Sequence, residues 1–306
     1  TVLTGSACCV YGLSFTSQHT RFGLIGSMDI AKVSIGGRVE LDFWNIRADA
    51  NVKPRMRLAY AWISPLEGLD LLMGQQWDIF SPLNPTTNNT NANLWYNGNY
   101  GFRRTMIQVR YAASFEAVRL SAQIAAGEAA KDSEPAPGAD SEAGLPMWQG
   151  RIAVGALEAL DVGFAGTYAT YGADGEVETW GISADAVLPV HEVVMLGSEY
   201  NGPAWLTIKG EFAYGSNLNN ANLFTVGGSG VVGDPVTNNG FWVNAVSKPF
   251  KYLNLAAGYG RENIRSTVAP GAVQSNTTWY GDLIVPVGTF AFTIEGQRIM
   301  TVRRGD

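Results

Sequence analysis

Residues 69–111 constrain the chain more than any other stretch. They open with a run, 69–80, in which Leu71, Met73, Trp77 and Ile79 alternate with Leu72, Gly74, Gln76 and Asp78. Successive side chains of a strand point to opposite faces, so this run presents one apolar face and one that is mostly small or polar. A charge-free connection rich in Asn, Pro and Tyr follows over 81–101. The next run opens with Arg103-Arg104 and sets Ile107, Val109 and Tyr111 against Gln108 and Arg110, with Arg104 on the polar side. A face bearing arginines is a poor protein core. Two architectures accept it: an antiparallel sheet with one wet face, or a barrel with an apolar outside and a wet inside.

Composition favours the barrel. Only 16% of the 306 residues are charged, yet no run approaches the ~18 consecutive apolar residues that a membrane helix requires. Helical spans are therefore excluded. The 46% hydrophobic content, 36 glycines and 9 tryptophans are spread thinly in alternation, as in transmembrane strands. Nothing in 1–306 resembles an interdomain linker, so a single barrel domain is expected. The net charge of −6, without a Lys/Arg cluster, argues against a nucleic-acid partner. The adjacent Cys8 and Cys9 cannot staple distant segments and read as small apolar residues of an extended stretch. No basic, hydrophobic leader precedes them, so any export signal is expected to be already removed or not included. Only His19 and His191 are present, neither beside a nucleophile, and there is no CxxC or metal-ligand spacing. Neither an enzyme nor a cofactor is expected. The acids Asp132, Glu134, Asp140 and Glu142 read as a solvated loop.

Period-two alternation predicts fourteen strands, at 19–26, 33–45, 55–63, 69–80, 102–114, 117–126, 147–157, 160–171, 177–188, 206–216, 240–248, 253–261, 277–285 and 290–302. Their connections alternate between tight and long, with two exceptions: 172–176 is short where a long loop is due, and 189–205 is long where a tight turn is due. An up-and-down meander with its tight turns on one rim gives this alternation; Greek-key crossovers do not. Trp62, Tyr111, Tyr168, Trp180, Tyr214 and Tyr259 fall on the apolar face, as interfacial girdles require. The fold class is therefore all-β, a transmembrane antiparallel barrel.

If the apolar face meets lipid, the other face lines a lumen. Alternation places Arg21, Arg38, Arg55, Arg57, Arg104, Arg110, Arg119 and Arg151 there on the first seven strands, with Glu40, Asp42 and Asp78 among them. Later strands contribute mainly Asp185, Lys209, Glu211, Asp282 and Glu295. At mid-bilayer a lipid-facing guanidinium costs on the order of 2–4 kcal/mol, which keeps these arginines inside. A basic stripe opposite an acidic one would create a field across the lumen and orient anionic solutes. The loop 81–101, with Asn84, Asn89, Trp95 and Tyr96, is expected to fold inward and narrow the passage, a surface position being the alternative.

The run Pro54-Arg55-Met56-Arg57-Leu58-Ala59-Tyr60-Ala61-Trp62, then Leu72-Met73-Gly74-Gln75-Gln76-Trp77-Asp78-Ile79-Phe80, then Tyr100-Gly101-Phe102-Arg103-Arg104, resembles the DcaP-like group of Gram-negative outer-membrane porins. The segments 18–23 and 206–218, the latter with Lys209-Gly210-Glu211, are similar to that group's first downward strand and a later strand. The resemblance implies a homotrimeric diffusion channel of sixteen strands in the bacterial outer membrane, in contact with its lipid and lipopolysaccharide. It also implies arginines at the constriction and small, often anionic solutes. Both ends of this sequence fall on the long-loop side. Either the terminal strands lie outside it or the barrel closes with fourteen. A barrel that sheathes or anchors a partner protein without conducting is the alternative function, since Gly163, Ala165, Ala169, Gly258 and Gly260 would suit a filled lumen.

Overall fold

The structure is a computed structural model that describes residues 20–43, 53–87, 94–129, 145–157, 160–171, 177–190, 205–223, 225–228, 233–267, 269–288 and 290–305. Fourteen strands follow one another: β1 (Arg21–Ile30), β2 (Val33–Asp42), β3 (Arg55–Leu66), β4 (Leu69–Trp77), β5 (Arg103–Phe115), β6 (Val118–Gly127) and β7 (Met147–Ala156), then β8 (Leu160–Tyr171), β9 (Val177–Pro189), β10 (Leu206–Ser216), β11 (Thr237–Phe250), β12 (Leu253–Ile264), β13 (Val273–Val287) and β14 (Phe290–Arg303). Each pairs antiparallel with the next, in sequence order. Every predicted strand is present. The largest displacements are of four residues, at the end of β1 (30 against 26) and at the start of β13 (273 against 277). Cys8, Cys9, His19, His191, Asn89 and the acidic loop lie outside the described residues.

The fourteen strands form one open, curled sheet. Among the described residues β1 and β14 are the two edges and do not pair with each other, so closure with fourteen strands is not seen. The sheet nevertheless curls strongly. Asp78, the residue after β4, accepts a 2.6 Å hydrogen bond from Gln149 on β7. In a flat sheet three strand spacings would hold those backbones ~14 Å apart.

Alternation sorts the side chains as expected from the sequence. The convex face exposes Met73, Ile107, Ile124, Ile152, Phe164, Ile182, Phe241 and Trp279. The concave face carries the polar residues. Aromatic pairs run along the outside, with Trp180 edge-on to Tyr214 and Tyr259 tilted against Trp279, and such rings prefer the headgroup boundary. One expected girdle residue is placed differently. The β2–β3 ladder shifts register between Glu40 and Leu41, where Met56 opposes Leu41 and Leu58 opposes Glu40, leaving Arg57 as an extra residue. A β-bulge of this kind reverses the faces beyond it. Trp62 therefore lies opposite Gly36 and Leu72, on the concave side.

Candidate functional site

Two connections turn inward and line the concave wall. The first inner loop follows β4, and its described parts, 78–87 and 94–102, are fixed strand by strand. The amides of Ile79 and Phe80 donate to Gln149 Oε1 on β7 at 2.9 and 3.0 Å. The Ser183 hydroxyl on β9 donates to the Phe80 carbonyl. Glu211 on β10 accepts from the Ser81 hydroxyl at 2.6 Å, the Leu83 amide at 2.7 Å and the Trp242 indole at 2.9 Å. Asn244 on β11 accepts from the Thr86 amide, and Glu295 on β14 accepts from the Thr87 hydroxyl. On the way back Asn97 accepts from Thr278 on β13 at 2.9 Å.

Glycines make room for this loop. Gly98 holds φ +102° against the backbone of Phe241, where a Cβ would come within 2.4 Å of the carbonyl oxygen. Gly240 lies under Tyr100, where a Cβ would stand 2.4 Å from the hydroxyl. The Tyr100 phenol is wholly buried. Burial, and then the Glu262 carboxylate, push its proton affinity well above the ordinary value, so it stays neutral while Asn238 donates to it.

The second inner loop follows β10, described over 217–223, 225–228 and 233–236, and strand alternation gives no sign of it. Leu218, Ala221 and Leu223 are buried in one cluster with Phe80, Tyr100, Met147, Ala165, Ala169 and Ala213. The cue was available: three apolar residues inside an Asn-rich connection have no reason to face water. Glu262 on β12 accepts from the Val226 amide and from Asn238, in the same way that Glu211 holds the first loop. A dry core therefore occupies the space in front of β7–β11, and the small residues Ala165 and Ala169 give it depth.

The expected lumen residues fall into two groups. Arg104 is only 6% exposed. It clamps Asp78 through Nε at 2.5 Å and Nη2 at 3.1 Å, and donates to the carbonyls of Glu128 and Ala221 at 2.8 Å each. Asp78 is thus buried between Arg104 and Gln149. Arg151 is buried against Asp185 at 2.6 Å and Asp161 at 2.9 Å. Glu211 and Asp282 are buried as well, and Lys209 is half-buried. Of these, Arg104 and Glu211 hold the inner loops, Arg104 through Asp78 and the Ala221 carbonyl and Glu211 through Ser81 and Leu83, whereas Arg151 and Asp185 pair within the wall itself. Arg57 is buried too, binding Glu40 at 2.6 Å and Asp42 at 2.8 Å.

The other group meets open space. Arg21 is exposed on β1. The side chains of Arg38, Arg55 and Arg110 are 40%, 31% and 46% exposed. Each is nonetheless paired: Arg38 with Glu40 at 2.8 Å, Arg55 with Asp42 at 2.8 Å and Arg110 with Asp70 at 2.7 Å. Arg119 donates to the Leu157 carbonyl at 2.5 Å. In the first inner loop Asn84 and Trp95 are half-buried, and Tyr96 is exposed at φ +64°.

Sequence reasoning missed Arg103, Asp70 and Asp161. The ladder gives Arg103 the apolar parity, yet it is only 3% exposed, with its guanidinium carbon 5.0 Å from the Trp77 ring and 5.1 Å from that of Phe102. Its Nε and Nη1 are buried without a hydrogen-bond partner. Cation–π contact replaces hydrogen bonding at this position.

Charge remains segregated along the concave wall. On β1–β6 and Asp78 the ladder places seven arginines inward (Arg21, Arg38, Arg55, Arg57, Arg104, Arg110, Arg119) against Asp29, Glu40, Asp42, Asp70 and Asp78. From β7 onward Arg151 and Lys209 face six carboxylates: Asp161, Asp185, Glu211, Glu262, Asp282 and Glu295.

An all-β antiparallel meander with an apolar convex face, a polar concave face and inward loops is the porin type of fold found in bacterial outer membranes. The solved structures agree. The outer-membrane channel DcaP of Acinetobacter baumannii matches with a TM-score of 0.72 at 18% identity, over 94% of this chain and 80% of that one. OmpT of Vibrio cholerae, an outer-membrane protein solved as a trimer, matches at 0.58 and 12% identity over 92% and 81%. OmpF of Salmonella typhi, solved with daunomycin, matches at 0.54 and 13% identity over 91% and 89%. No protein-family model and no curated protein sequence matches the chain.

Proposed function

We propose that the protein is a passive diffusion channel of the bacterial outer membrane, assembled as a homotrimer, that admits small hydrophilic anions past its arginine-bearing wall. The observation that carries this reading is the position of Arg21, Arg38, Arg55 and Arg110. Arg21, Arg38 and Arg110 stand exposed and Arg55 half-buried on β1, β2, β3 and the far part of β5, away from the buried loop cluster. Pairing with Glu40, Asp42 and Asp70 neutralises part of that charge and leaves an excess of arginine. A partly screened basic wall attracts anions without holding them, as a passive channel needs. The first inner loop narrows the lumen from the opposite side. The same reading makes 1–306 one barrel domain whose convex face meets lipid and lipopolysaccharide, and it makes the protein a channel and not an enzyme.

Planar-bilayer recording tests it. The purified protein is expected to conduct, with a reversal potential in asymmetric KCl that favours chloride. Replacing Arg21, Arg38 and Arg110 together by Gln should move that potential toward potassium. Unchanged selectivity would refute the role of these arginines.

The dry cluster of Phe80, Leu218 and Leu223 favours a second reading, a filled barrel that encloses or anchors a partner without conducting. Absence of current from folded, inserted trimers would select it.

A further inference from the structure

Most concave carboxylates have an evident donor. Asp42, Asp78 and Asp185 bind arginines, and Glu211 and Glu262 hold loop amides. Asp282 does not. It is 5% exposed, and neither carboxylate oxygen has a hydrogen-bond donor or contact with solvent. Across the β13–β14 ladder it stands directly opposite Glu295, and like charges in that arrangement repel. Its other ladder neighbour, on β12, is Ala256, which offers no charge. Tyr280, two residues earlier on the same face, is also 5% exposed, and its hydroxyl is buried without a partner. Glu295 in turn accepts from the Thr87 hydroxyl of the first inner loop.

We propose that Asp282 and Glu295, assisted by the hydroxyls of Tyr280 and Thr87, hold a divalent hard cation of the Ca²⁺ or Mg²⁺ type that fastens the first inner loop to the last two strands. The donor set is oxygen throughout, as these ions prefer, and two carboxylates balance their charge. Burying a carboxylate against a second, half-buried one is unfavourable unless a counter-charge sits with them, and among the described residues no Lys or Arg is bonded to Asp282. The cation supplies that counter-charge. The inference rests on the inward path of the loop and not on which solute passes, so its failure would leave the channel reading standing.

The test is equilibrium binding of Ca²⁺, and separately Mg²⁺, to the detergent-purified, chelator-stripped protein, followed by calorimetry and by thermal unfolding. One saturable site per chain is expected, with an upward shift of the unfolding midpoint. Asp282→Asn and Glu295→Gln should each weaken binding by at least ~10-fold, the lower end of what disturbing a metal site's support already costs. Should either variant fail to fold, Tyr280→Phe removes one hydroxyl alone and is expected to weaken binding measurably. Asp161→Asn, on the same concave face but paired with Arg151, should bind as the parent does. No saturable binding by either ion would overturn the proposal. So would equal loss in Asp161→Asn, or a stability gain on acidification with no metal response, which would mark a proton shared between Asp282 and Glu295.

Discussion

Strand β5 carries two Arg–Asp pairs of the same chemistry in opposite settings. At its start Arg104 and Asp78 are sealed beneath both inner loops, with the guanidinium also donating to Glu128 and Ala221 carbonyls. Six residues on, Arg110 meets Asp70 in the open. The first pair joins β4, β5, β6 and the second inner loop; the second pair joins only its own two strands. Sequence alternation treats the two arginines alike, because it reports the face and not what covers the face. The same contrast recurs along the wall: Arg21, Arg38 and Arg110 remain reachable on β1, β2 and β5, whereas Glu211 on β10 and Glu262 on β12 have become attachment points for the loops.

Substitutions can break or sharpen this contrast. The largest effect is expected from Arg104→Ala, which strands a buried Asp78. It should cost about 3–5 kcal/mol, read as a lower urea midpoint for the folded protein in lipid or detergent. Glu211→Gln comes next. It keeps the shape but gives up part of the acceptor capacity that holds Ser81, Leu83 and Trp242. A loss of about 1–3 kcal/mol is expected, with noisier single-channel current as the loop loosens. Gly98→Ala places a methyl against the Phe241 backbone at a positive φ. The cost should be similar, about 1–3 kcal/mol, and thermal unfolding monitored by circular dichroism would detect it. The smallest change is expected from Arg110→Ala. Its exposed pair with Asp70 should contribute less than about 1 kcal/mol, leaving stability nearly intact while the reversal potential moves. If Arg104→Ala and Arg110→Ala destabilised equally, the division of the wall into covered and open parts would fail.

All fourteen strands were legible in the sequence because period-two alternation is dictated by the solvent on each face, lipid or water, and that signal is local. The inward path of the first loop was half legible: an uncharged, Asn-rich connection between arginine-bearing strands suits a lumen. What alternation could not reach was set by contacts distant in sequence. The extra residue at Arg57 reversed Trp62 because a register shift is a property of two strands and not of one. Arg103 sits on the apolar parity yet is withdrawn by Trp77 and Phe102. Asp70 and Asp161 emerged as partners only once the ladders set them beside Arg110 and Arg151.

The attachments of the first inner loop also dictate an order of events. Its partners run from Gln149 on β7 to Glu295 on β14, so no chain that has laid down only its early strands can seat it. Contacts so far apart in sequence form late. An assembling molecule therefore passes through a stage in which the strands are zipped, the interior is wide and flooded, and Phe80 and Tyr100 still await a dry place. Docking of the two loops is the closing act of maturation, and hydrogen exchange at the Ile79, Phe80 and Leu83 amides is the clock that would time it.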